Sequence, residues 1–112
     1  MGLAASQARM LILTARKADL ELIGQTINQA RMTLANITGA LFTLSADLEP
    51  GSPAMDLLNA RVAAIATIDK ALELQLRRID TQRDAVQTEM DAVQKVISAN
   101  IQRSFKTFAA NG

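Results

Sequence analysis

Apolar side chains recur at every seventh position through most of the chain, and this periodicity restricts the fold more than any other feature. Leu13, Leu20, Ile27, Leu34 and Leu41 form one series, and Leu58, Ile65, Leu72, Ile79, Val86 and Val93 form a second. A strand would show a period of two, whereas a seven-residue repeat lines the side of an α-helix that winds against another helix. In the first series Ile23, Ala30, Ile37 and Leu44 follow three places behind, which predicts a two-column seam on a helix spanning about 3–46. The second series predicts a helix over about 53–109.

Both prolines fall between the two series, in Leu48-Glu49-Pro50-Gly51-Ser52-Pro53. Pro50 and Gly51 end one helix and turn the chain across 47–52, Ser52 is suited to cap the next helix, and Pro53 to open it without losing a hydrogen bond. Folding the chain between Glu49 and Pro50 sets Leu41 against Leu58, Leu34 against Ile65, Ile27 against Leu72, Leu20 against Ile79 and Leu13 against Val86. The register agrees with the centre of the turn, so residues 1–112 read as one all-α antiparallel two-helix coiled-coil hairpin. Composition agrees, since alanine is abundant and only 3% of residues are aromatic.

The same register places Arg16 opposite Arg83 and Asp19 opposite Asp80. Each arginine then has a carboxylate three residues away on its own helix and another diagonally across. Two crossed ion pairs forming a polar layer are expected, a device that fixes register.

One hairpin does not cover all the apolar surface. Ile12, Leu22, Met32, Leu57, Leu74 and the alanines at 60, 63, 64 and 66 fall outside the seam. The second helix is also longer than the first, and its overhang carries Ile97, Ile101, Phe105 and Phe108 at spacings of four, four and three. Val86, Ile97 and Phe108 lie eleven apart, as do Met90 and Ile101, which predicts a local change from a seven- to an eleven-residue repeat. An apolar overhang of this kind calls for a second molecule, and these residues are the expected surface between subunits.

Chemical catalysis finds few of its usual groups. The chain has no His, Cys or Tyr, so imidazole acid–base chemistry, thiolate nucleophiles and the common zinc ligands are missing. The five glycines form no phosphate loop, and Asp80 and Asp84 interrupt the basic group of Arg77, Arg78 and Arg83. A net charge of +1 gives no footprint for nucleic acid. The expected protein is not an enzyme, uses no cofactor or metal, and takes no small-molecule substrate. Its longest uncharged stretch, fifteen residues between Arg31 and Asp47, is shorter than the ~20 of a membrane span, and membrane association is not expected. The opening MGLAASQARMLILTARKADLE has no basic region ahead of an apolar core and carries Arg9 inside it, so no cleaved secretory signal is expected.

A two-helix hairpin with Pro-x-x-Pro at its tip, here Pro50 to Pro53, and the tail AVQKVISANIQRSF resembles the needle subunits of bacterial type III secretion systems. The resemblance covers the tip and about the last twenty residues. It implies hairpins that stack helically into a hollow extracellular tube, with C-terminal helices toward the inside and export without a cleaved signal. Flagellar axial proteins belong to the same broader class. The expected function is therefore a homopolymeric structural subunit of an exported filament. Two alternatives stand beside it: a secreted hairpin similar to the WxG family, whose Trp is absent from this chain, and a cytoplasmic coiled-coil adaptor or chaperone working as a small oligomer.

Overall fold

Ser52 and Pro53 start the second helix as their chemistry predicts. In the computed structural model, which describes residues 2–111, the Ser52 Oγ accepts the Met55 N–H at 3.1 Å, and Pro53 is the first residue of the helix. Asp56 lies in the first turn, where a carboxylate faces the positive end of the helix dipole. On the other side of the turn, helix geometry tightens before it ends. Ala46, Asp47 and Leu48 donate to the carbonyls of Thr43, Leu44 and Ser45, three residues back in each case. Gly51 then adopts φ +77°, a left-handed conformation that costs glycine nothing and strains a residue with a Cβ.

The outcome is two helices, α1 (Leu3–Ser45) and α2 (Pro53–Asn111), packed against each other with no strand among the described residues. The fold is all-α, a helical hairpin. Its contacts group into two units: a termini unit made of Met1–Leu22 and Asp80–Gly112, and a turn unit made of Ile23–Ile79.

In the turn unit Ile27 and Leu58 are buried, while Leu34, Leu41, Ile65, Leu72 and Ile79 are half-buried. In the termini unit Leu13, Leu20 and Val86 are buried, Leu13 at 1% exposure. Every residue of the expected intrachain seam therefore faces inward at least in part. The second column of α1 does not. Ile23, Ile37 and Leu44 are exposed and Ala30 is half-buried, whereas Lys17, Gly24, Arg31, Thr38 and Ser45, four places behind the leucine series, are buried or half-buried.

Size matching accounts for this correction. The facing column of α2 carries bulky Met55, Val62, Leu76 and Met90, all half-buried. Bulk on one side needs small or satisfied residues on the other. At Gly24 an added Cβ would sit 3.8 Å from Leu76 Cδ1 and 3.9 Å from Ile79 Cγ2, so these side chains pack directly over the glycine backbone. Those distances are ordinary van der Waals contacts, so alanine fits the site. Gly24→Ala should raise hairpin stability by about 1 kcal/mol, because alanine loses less backbone entropy in a helix interior. Denaturant melts of the two proteins check this, and a lower midpoint for the alanine variant would mean that α1 and α2 approach more closely than described.

The termini unit brings a second correction. Val93 is half-buried, Ile97 is buried at 8% exposure and Asn100 is half-buried, so the seven-residue seam runs on to the level of α1's first turn. The eleven-residue relation of Val86, Ile97 and Phe108 directs no common face inward. Every residue from Ile101 to Ala110 is exposed while remaining helical.

Candidate functional site

The expected polar layer is not formed. Arg16 and Asp19 lie in exposed positions of α1, and neither has an ion-pair partner among the described residues. Asp80 and Arg83 are half-buried and, among the described residues, form an ion pair only with each other, Arg83 Nη2 to Asp80 Oδ1 at 3.9 Å, three residues apart on α2. Arg16 stands three places behind Leu13, and the flank begins there; the seam takes the side chain four places behind, which is Lys17.

Polar contacts between the helices fall elsewhere. In the turn unit the Arg31 guanidinium forks onto Asp69, Nε to Oδ1 at 2.8 Å and Nη2 to Oδ2 at 3.3 Å, with both side chains about two-thirds covered. Hydrogen bonds from Arg31 hold the Asp69 carboxyl below its ordinary range, against partial desolvation that pushes it up. The reciprocal bond raises the Arg31 pKa above its ordinary value, again against desolvation. In the termini unit Arg9 Nη2 donates to Glu89 Oε2 at 2.7 Å, and Lys17 Nζ donates to Gln87 Oε1 at 2.7 Å. Gln87 Nε2 donates onward to Asp91 Oδ1 at 3.0 Å, and Lys17 also stands 4.0 Å from Glu21.

These contacts tie named positions of α1 to named positions of α2. The sign of the pH dependence follows from Asp69. Its folded pKa lies below the unfolded one, so its contribution is present above the ordinary carboxylate range and is lost as pH falls through the lowered value. Arg31→Asp should lower the melting temperature, and adding Asp69→Arg should restore part of it, since paired partners couple nonadditively. Asp69→Asn should flatten the acid limb of the stability profile. A double reversal no more stable than the sum of its singles would show that the fork contributes nothing to register.

The surface available for function is apolar. Phe105 and Phe108 are 71% and 77% exposed, and Ile101 is exposed beside them on the same helical stripe. Of the four expected assembly residues, Ile101, Phe105 and Phe108 are thus open, and Ile97 belongs to the seam. At the turn, Leu41, Leu44, Leu48, Ala54, Leu57 and Leu58 line a shallow groove together with Arg61. A second groove, beside the Arg31–Asp69 fork, is lined in part by Met32, Ala35, Val62 and Ala66. Leu11, Ile12, Leu22 and Leu74 are exposed elsewhere on the helices. Threonines do not interrupt these faces with unpaired hydroxyls: Thr33, Thr43, Thr67, Thr88 and Thr107 each donate to the carbonyl four residues back.

Among the described residues no group of three or more acidic side chains converges as a metal site, and no helix is long and apolar enough to cross a membrane. No family model, no curated protein and no solved structure matches the chain.

Proposed function

We propose that this chain is a non-enzymatic structural subunit that self-assembles into a helical filament or tube, of the exported needle-like or axial kind. The observation that carries the reading is the helical extension from Ile101 to Ala110, exposed throughout and bearing Phe105 and Phe108. Apolar aromatic side chains held on an ordered helix outside the molecule's own seam mark an interaction surface. When such a surface meets a different surface on the next copy, the contact is heterologous and builds rings or open polymers. The assembly partner is the chain itself, without nucleic acid, cofactor or small-molecule substrate.

The uncovered flank of Ile23, Ile37 and Leu44 supports a second reading, an intracellular adaptor that takes a client helix there. Size separates the two. Sedimentation and negative-stain microscopy of the purified chain over a wide concentration range should show polymers above a threshold concentration. A single small oligomer at every concentration, salt and pH would overturn the filament and favour the adaptor.

A further inference from the structure

Charge is distributed unevenly along the chain. Between Arg31 and Arg61 the charged side chains are Asp47, Glu49 and Asp56, all acidic. Beyond Asp91 they are Lys95, Arg103 and Lys106, all basic. The acidic segment surrounds the turn groove of Leu41, Leu44, Leu48, Ala54, Leu57 and Leu58. The basic segment carries the exposed stripe of Ile101, Phe105 and Phe108. Each apolar surface therefore comes with a charge opposite to that of the other. The groove beside Arg31 and Asp69 has no such bias, because those two charges neutralise each other.

We infer that the C-terminal extension of one copy docks in the turn groove of a second copy, a step that rests on the self-assembly reading and names the surfaces it uses. Ile101, Phe105 and Phe108 fill the groove between α1 and α2. Arg103 and Lys106 lie on the same helix turns to the side of this stripe, within ~10 Å of it, a range comparable to the Debye length at 0.1 M salt, so they attract Asp47, Glu49 and Asp56 and orient the approach. Arg61 also lines the groove, and three acidic side chains, Asp47, Glu49 and Asp56, against this one basic one leave the turn region acidic overall. Repeating the contact joins copies head to tail, each offering one groove and one extension.

Two variants, each lacking one surface, test this. Leu44→Ser with Leu57→Ser alters the groove at exposed positions, and Phe105→Ser with Phe108→Ser alters the extension, so both proteins should keep the parent's circular dichroism and melting curve. Each alone should stay monomeric at concentrations where the parent polymerises. Mixed in equal amounts, they should form a complex of two chains and stop there, because the pair has one intact groove and one intact extension that fit. Raising salt from about 50 to 500 mM should weaken that complex roughly tenfold. If the parent polymerises and the Leu44/Leu57 variant does so equally well, the groove is not the docking site, although self-assembly stands. A mixture that remains monomeric, or a complex indifferent to salt, likewise overturns the pairing. A parent that never polymerises removes the self-assembly reading itself.

Discussion

Leu13→Asp should unfold much of the hairpin, because this leucine is the most deeply buried large side chain among the described residues. The substitution removes an apolar side chain from a packed site and leaves a carboxylate there without a partner. Deleting a buried leucine alone costs about 2–5 kcal/mol, and burying an unpaired polar group adds to it, so a loss of about 4 kcal/mol or more is expected. That is a large share of the ~5–15 kcal/mol that holds an ordinary domain together. Leu72→Asp should cost less, since Leu72 is half-buried and its carboxylate can reach water. Equilibrium urea melts followed by circular dichroism at the helical minimum read both. An order of effect with Leu72 ahead of Leu13 would place the tight packing in the turn unit.

Phe105→Ser combined with Phe108→Ser should leave folding almost untouched and suppress assembly. Both rings are more than two-thirds exposed, so the isolated chain loses little by their removal. In a polymer each would be covered once per subunit, and a deficit of even about 2 kcal/mol per contact multiplies the threshold concentration roughly thirtyfold. Light scattering against protein concentration gives that threshold directly. Equal thresholds for the two proteins would detach the aromatic extension from assembly and leave the outer faces of Leu11, Ile12 and Leu22 as the surfaces to test.

Reading the sequence located the turn, both helices and the leucine columns, because those depend on local chemistry: Ser52 as a cap, Pro53 as a start, Gly51 as a left-handed corner, and a repeat of seven. The neighbouring column is not legible in the same way. Spacings of three and four are equally helical, and hydrophobicity favoured Ile23, Ile37 and Leu44 over Lys17, Gly24 and Arg31. What decides between them is pairwise and long-range: Gly24 accommodates Leu76, and Arg31 finds Asp69 thirty-eight residues away. A search for opposite charges across the fold at the four-residue spacing would have found that fork. Ile97 reads as part of the overhang for a related reason, since its distance from Val86 fits a repeat of eleven as well as the seam's alternation of threes and fours. Only its burial separates the two.

Three polar contacts joining the helices share a direction: α1 supplies the cation and α2 the acceptor, in Arg9 with Glu89, Lys17 with Gln87 and Arg31 with Asp69. Two α1 helices brought together would set cation against cation, so the chain distinguishes its helices from each other. It does not distinguish its own α2 from a neighbour's, which offers the same acceptors at the same intervals. Two opened molecules can therefore exchange helices and keep all three contacts, differing from the closed form only between Ser45 and Pro53. The closed hairpin prevails by tethering, because a short connection holds α2 near α1 at an effective concentration on the order of millimolar. Exchange becomes competitive where neighbours are crowded to a similar degree, and the packed interior of a polymer is such a place.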